Sequence, residues 1–172
     1  MKKEFLLEEA DPELWLEQIA RLRVEVWDHY GMVDMSYFPD NKCLEAVDSI
    51  AIHHIAQHEG RLMAAARYTV YPDLESSHNA GYYKEAGIQL EGPIGIPERT
   101  VVHPDFSGQG LGRAIARTHR AEALKQGVRF NISENTEVNA RLLRAIGRKS
   151  LGMAPPDPRF PGIQYEWMCL EP

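Results

Sequence analysis

Residues 98–127, reading ERTVVHPDFSGQGLGRAIARTHRAEALKQG, narrow the choice of fold more than any other stretch of the chain. A β-branched run, Thr100, Val101 and Val102, halts near Pro104. Gly108, Gly110 and Gly112 then take alternate positions, and an alanine-rich helical pattern runs on to Gly127. The order is strand, glycine turn, helix. Such a turn aims unpaired backbone N–H groups outward at the first turn of the helix, where the macrodipole adds roughly half a positive charge. That is a seat for an anion such as a pyrophosphate. Glycine tolerates unusual φ and, lacking Cβ, lets ligand oxygens approach the main chain. Three alternating glycines also suit a plain surface turn, so the spacing alone does not decide. Two other phosphate loops fit worse. The dinucleotide fingerprint needs glycine three residues after Gly110, where Arg113 stands, and the nucleoside-triphosphate loop needs a Gly-Lys-Ser/Thr ending that the chain lacks.

The run VVHPDFSGQGLGRA resembles the signature of the GNAT acyltransferases: a strand ending in a hydrophobic-Val-His-Pro-like sequence, then Arg or Gln, two residues, Gly, one residue, and Gly or Ala. Gly110 and Gly112 fall on the two small positions with Arg113 following, and Ser107 stands where Arg or Gln is usual. The resemblance implies acetyl-CoA, or another acyl-CoA, as co-substrate. It implies that the amides of Gly108, Gln109, Gly110, Leu111, Gly112 and Arg113 grip the pyrophosphate. It further implies that the pantetheine arm lies along Thr100, Val101 and Val102 like an added strand, and that a main-chain N–H there faces the developing oxyanion, worth on the order of 3 kcal/mol when well aimed.

A chain of 172 residues favours one domain with a sizeable core. Its formal charge of −6 supplies no basic field for DNA, RNA or anionic lipid. Cys43 and Cys169 are the only cysteines, without metal spacing and too few for a disulfide scaffold, which suits a reducing cytoplasm. The apolar run Phe5, Leu6, Leu7 is too short for a signal-peptide core, and nothing approaches the ~18 apolar residues of a membrane helix.

In chain order, residues 3–9 suggest a strand. Asp11 and Pro12 then open an amphipathic helix with Trp15, Ile19, Leu22 and Val26 on one face, ended by Gly31. Residues 31–48 read as irregular chain or short helix, which in the resembled fold walls the acceptor site. Residues 49–58 and 61–71 read as strands around a Glu59-Gly60 hairpin turn. His53, His54 and His58 lack the carboxylate or cysteine that would complete a metal set, and read as core or solvated histidines. Residues 72–97 are broken by Pro72, Gly92, Pro93, Gly95 and Pro97, which argue against a long regular element; AGYYKEAG makes one or two helical turns. This insert suits a wall of the site or a subunit contact, leaving a homodimer open, as well as a plain surface excursion.

The helix over 110–126 places Leu111, Ile115, Thr118 or His119, and Leu124 near one face and Arg113, Arg117 and Arg120 on another. Residues 128–132 read as its parallel partner strand. Ser133 and Asn135 offer caps for a second helix running through Leu142, Leu143 and Ile146 toward Gly152. The resemblance extends here: Asn139 stands near the helix start and Leu151-Gly152-Met153 in the closing motif, while the family's helix tyrosine, the acid for the leaving thiolate, is missing, Ile146 or Arg148 occupying its place. A proline-rich loop, 154–164, precedes a final strand at 164–170. The consistent fold is one α/β domain with a mixed, twisted sheet flanked by helices.

An alkylamine of pKa about 10.4 is almost wholly ammonium at neutral pH, so direct acyl transfer needs a base. The resemblance points to Glu98, though a strand-end glutamate in solvent reads equally well. The expected activity is N-acyl transfer from acyl-CoA to an amine of a small molecule or protein. Alternatives are a synthase fed by acyl carrier protein, which would show a basic docking patch, and a non-catalytic acyl-CoA sensor.

Overall fold

The computed structural model describes residues 7–172, so the expected first strand is described only from Leu7 onward. Seven strands form a sheet in the order β1-β2-β3-β4-β5-β7-β6. Here β1 is Glu8–Glu9, β2 Ile52–His58, β3 Arg61–Tyr71, β4 Ile94–Val102, β5 Phe130–Thr136, β6 Lys149–Met153 and β7 Tyr165–Leu170. The β4–β5 pair is parallel, and the β1–β2, β2–β3, β5–β7 and β6–β7 pairs are antiparallel. The helices are α1 Pro12–His29, α2 Ala80–Glu85, α3 Leu111–Lys125 and α4 Glu137–Ala145. This is the mixed α/β architecture that the sequence implies. No helix among the described residues is long and apolar enough to cross a membrane. Two compact units share the chain, Met1–Tyr68 with Arg99–His119 and Thr69–Glu98 with Arg120–Pro172.

In the first unit, the Asp11 carboxylate caps α1 by accepting the Glu13 N–H at 3.0 Å, and Pro12 fills the first turn, where an N–H would go unused. Glu59 and Gly60, at φ 51° and 78°, make a two-residue turn with left-handed torsions at both positions, which matches strand twist and sets the His58–Arg61 register. The alanines of β3 are small enough to let α3 sit close: Ala64 and Ala66 share a core cluster with Ala56, Met63, Leu111 and Ile115. The helix buries Leu111, Ala114, Ile115, His119 and Ala123. Leu124, expected on this face, is exposed, because the four-residue step from His119 reaches Ala123 and leaves Leu124 about 100° further round.

α1 also buries Arg23, which a helical pattern alone would place in solvent. Its guanidinium donates from Nη1 and Nη2 to the two Asp48 oxygens, both at 2.9 Å, and from Nη1 to the Cys43 carbonyl at 3.0 Å. Asp48 sits on a 3-10 turn, Ala46–Ser49, and also accepts from Arg67 Nη1 at 3.0 Å and from the Glu45 N–H at 2.8 Å. Glu45 pairs with Arg67 at 2.8 Å and receives Arg99 Nε and Nη2 at 2.9 and 2.7 Å. Three guanidiniums and two carboxylates thus form one network inside the unit, in which the buried Arg23 Nε donates no hydrogen bond among the described residues.

His53 and His54 are buried and His58 is exposed. His53 Nε2 lies 3.2 Å from the Asp48 carbonyl, and burial lowers its pKa. His119 stacks on Tyr68 with ring centroids 5.1 Å apart, and its second ring neighbour, His54, lies 5.5 Å away. Burial, aided by His54, lowers the His119 pKa to about 3. Such a group binds a proton in the unfolded chain near pH 6.5 but not in the folded one, so stability is full above that pH and falls as pH drops below it. From pH 7 to pH 5 the expected loss from His119 is about 2 kcal/mol. Thermal melts at the two pH values measure it, and His119→Phe is expected to flatten the dependence.

The second unit has its own core, in which Tyr71, Leu74, Tyr83, Ile94, Ile96, Ile132, Ala154 and Trp167 pack together. β4 runs unbroken through Gly95 and Pro97, against the expectation that these residues forbid a long element. The paired register with β5 covers only Ile94–Phe130 and Gly95–Asn131, so Pro97 lies past it and costs no ladder bond to β5. β5 continues to Thr136, making Ser133 and Asn135 strand residues rather than caps, with Asn135 Nδ2 bonded back to the Ser133 carbonyl and hydroxyl at 3.0 and 2.8 Å. α4 starts after Thr136 and ends before Gly147, at φ 82°, not near Gly152. Leu151-Gly152-Met153 belongs to β6, a strand not evident in the sequence, where Gly152 at φ 112° marks a register shift.

Candidate functional site

The glycine loop is pinned at its β4 end. The His103 N–H donates to the Met63 carbonyl at 2.8 Å, and His103 Nδ1 accepts the Asp105 N–H at 3.2 Å, capping a 3-10 turn over Pro104–Phe106. Arg61 Nη2 bonds Asp105 Oδ2 at 2.7 Å, and the Ser107 N–H returns to the Pro104 carbonyl at 3.0 Å. Gly108 and Gly110 follow at φ 74° and 92°, left-handed torsions that side chains resist. Leu111 is buried and its side chain anchors the helix start.

Among the described residues, no N–H from Gly108 to Arg113 donates to another group outside the regular elements, and the first bond into α3 is from the Ala114 N–H to the Gly110 carbonyl at 3.0 Å. Six successive amides are therefore unpaired, five of them on exposed residues. Gly112 differs from its neighbours. Its φ is ordinary, and a Cβ built there meets nothing within 4 Å, so neither torsion nor packing within the chain requires glycine. Room for a ligand against the backbone is the remaining requirement. Gly108, Gln109, Gly110, Gly112 and Arg113 are all exposed, and Arg113 makes no ion pair among the described residues. This bare row of N–H donors at a helix N-terminus fits a diphosphate, and the exposed Ser107 side chain takes nothing from it. Gly112→Ala should leave the fold as stable or up to about 1 kcal/mol more stable while weakening CoA binding about tenfold or more, or about 1.4 kcal/mol. Melting temperature and calorimetry on one preparation test both halves.

On β4, Thr100 is exposed, Val101 buried and Val102 half-buried. Arg99 takes φ 51°, a left-handed torsion costly for a side-chain residue, and its two bonds to Glu45 hold it there. Past Gly95 no β4 residue pairs with β5 among the described residues. Unpaired strand backbone of this kind is what an added strand uses.

Glu98 is mostly covered, its side chain 8% exposed. Oε2 lies 3.0 Å from His78 Nε2, and Oε1 accepts from Asn79 Nδ2 at 3.4 Å. The Tyr71 hydroxyl lies 2.8 Å from His78 Nδ1, and Asn79 Nδ2 also reaches the Tyr83 hydroxyl at 3.4 Å. The reading of Glu98 as a solvated strand-end glutamate therefore does not hold. His78 and Asn79 come from the insert before β4, where pattern reading had no reason to single them out. Tyr83 is buried, and burial with neighbouring carboxylates pushes its pKa well above the ordinary tyrosine value, so its hydroxyl stays protonated. Asn139 is exposed on the first turn of α4, in the same unit as Glu98, whereas residues 100–113 belong to the other unit.

Among the described residues, no group of three or more His, Cys, Asp or Glu side chains is arranged to hold a metal ion. Comparison with curated proteins gives no match. Solved structures similar to this fold include a CoA-dependent acyl-homoserine lactone synthase with SAM and isopentyl-CoA (TM-score 0.69, 17% identity, covering 96% of this chain and 81% of that one). Another is the Salmonella typhimurium protein yncA with its cofactor acetyl-CoA (0.60, 17%, 98% and 94%). A third is the Drosophila melanogaster polyamine N-acetyltransferase that forms N-acetylagmatine (0.66, 15%, 98% and 100%). At these identities the likeness is one of fold. The sequence itself matches the acetyltransferase (GNAT) family over residues 12–152, most of its length, and the chain belongs to that family.

Proposed function

We propose that this protein is an N-acyltransferase that takes its acyl group from acyl-CoA, acetyl-CoA above all, and delivers it directly to an amine of a small molecule or protein. The observation that carries this reading is the row of unpaired amides from Gly108 to Arg113 with a glycine at 112 that the fold itself does not need. Acyl-CoA, when bound, supplies a thioester carbonyl activated for attack and a thiolate leaving group. The chain does the rest. Amides 108–113 hold the diphosphate and Arg113 offers a further positive charge. The main chain of Thr100, Val101 and Val102 aligns the pantetheine arm and offers the oxyanion donor. Asn139, exposed at the head of α4, is a further contact for the cofactor, and Glu98 removes the proton from the attacking amine. The similar structures that hold acetyl-CoA and isopentyl-CoA support the choice of donor.

One observation favours a second reading, in which a carrier protein brings the acyl group. Val138 and Leu142 on α4 and Ile146 just after it, at steps of four residues, are exposed, with Arg141 and Lys149 exposed close by in the sequence. An apolar stripe with basic neighbours suits an acidic partner. Thiol release from acetyl-CoA across a panel of amines tests the first reading. Turnover with acyl carrier protein and none with acyl-CoA would select the second, and binding of acetyl-CoA without turnover on any amine would indicate a sensor.

A further inference from the structure

The segment between β3 and β4 is built as a rigid arm. Asp73 Oδ1 accepts the Ser76 N–H at 2.8 Å and its hydroxyl at 2.6 Å, and the Ser77 hydroxyl donates to the Leu74 carbonyl at 2.7 Å. Leu74 and Tyr83 anchor the segment in the core, Tyr83 meeting Trp167 edge-on with centroids 5.2 Å apart. Between these anchors stand His78 and Asn79, and both point at one carboxylate.

The donor and acceptor roles at His78 follow from its partners. An ionised Glu98 only accepts, so His78 Nε2 carries the proton and donates to Oε2. Nδ1 is then a lone pair, and the Tyr71 hydroxyl donates to it at 2.8 Å. The ring is therefore clamped at both nitrogens, and the carboxylate that it holds is aimed through Nε2. A glutamate has three rotatable side-chain bonds, and a base serves only in the rotamer that meets the proton.

We propose that His78 is a positioning residue for Glu98, locked by Tyr71 and holding the carboxylate in the one orientation in which it accepts the acceptor amine's proton. This rests on the reading of Glu98 as the base. Glu98 takes one proton from the acceptor's ammonium before attack; the freed lone pair forms the nitrogen–carbon bond, the carbon–sulfur bond breaks, the thiolate leaves and the second nitrogen proton ends on the thiol, while His78 keeps its own proton throughout.

The test is steady-state kinetics with acetyl-CoA and an amine found by thiol release, comparing the wild type with His78→Ala, His78→Gln, His78→Asn and Glu98→Gln. His78→Ala should lower kcat about 10- to 100-fold with KM for acetyl-CoA unchanged. In His78→Gln the amide nitrogen reaches the place of Nε2 and should restore most of kcat. In His78→Asn it reaches only the place of Nδ1 and should not. The double variant His78→Ala/Glu98→Gln should be no slower than Glu98→Gln alone. A wild-type kcat in His78→Ala, or equal rates for the Gln and Asn variants, would overturn the role of His78 while a slow Glu98→Gln left the base in place. A wild-type rate in Glu98→Gln would remove the base reading itself and this proposal with it. If His78→Ala does not fold, the Gln and Asn pair still decides.

Discussion

Asp48→Asn is expected to destabilise the protein by about 3–5 kcal/mol, lowering Tm by roughly 10 °C for a chain of this size. The carboxylate is the hub of the buried network in the first unit, with Arg23 bidentate on it and Arg67 and the Glu45 amide completing its shell. Burial alone would raise its pKa, yet the hydrogen bonds from Arg23, the Arg23 charge, the Glu45 amide and the Arg67 charge outweigh burial and lower it. Removing the negative charge leaves Arg23, 0% exposed, without its counter-ion and leaves Arg67, 1% exposed, with Glu45 as its carboxylate partner. The pair is not irreplaceable, because an apolar pair avoids the desolvation of both ions. The double variant Arg23→Leu/Asp48→Leu should therefore lose less than the sum of the two single changes. Denaturant unfolding of the four proteins measures this. A lowered carboxylate pKa means stability that is present above about pH 4 and is lost as pH falls through the folded pKa. The decline between pH 7 and pH 5 therefore belongs to buried histidines and not to Asp48.

Glu98→Gln should lower kcat by about 10²–10⁴ while KM for acyl-CoA stays as it is. The size follows from the acceptor. At pH 7 roughly one alkylamine in a few thousand is neutral, and a base that takes the ammonium proton before attack opens the reaction to the rest. The glutamine keeps the length of the side chain and an oxygen for His78 or Asn79, so fold and cofactor affinity should survive. Raising the pH makes the acceptor neutral without help, so the deficit should shrink from pH 7 to pH 10. Thiol release across that range measures it. An equal deficit at every pH would mean that Glu98 binds or orients and takes no proton.

The parts of this fold that could be read in the sequence are those decided locally. The glycines at 108 and 110 hold left-handed torsions and Glu59-Gly60 forms the expected hairpin turn, because in each case the torsion demands the residue. Asp11-Pro12 starts a helix for an equally local reason. The misses have the opposite character. Ser133 and Asn135 look like caps, but antiparallel pairing with β7 as far as Thr136–Tyr165 draws them into a strand. β6 is short and polar, and exists because β7 offers it a partner. Pro97 argues against a strand until one sees that its position lies past the paired register. The Arg23–Asp48 pair joins residues 25 apart in sequence, and the contact of His78 with Glu98 spans 20, so no pattern within a helix or strand reveals them. At the candidate site, the glycine turn is therefore legible as a motif, and the partners of Glu98 are not.

In the proposed function, six backbone amides at the start of α3 bind the diphosphate of coenzyme A. Titration of CoA into the protein in a calorimeter, with a thermal melt at the same concentrations, tests it most directly. One site per chain, a rise in Tm with CoA, and weaker binding in Gly112→Ala despite an intact melt are the expected results. No heat and no protection at millimolar CoA would contradict it.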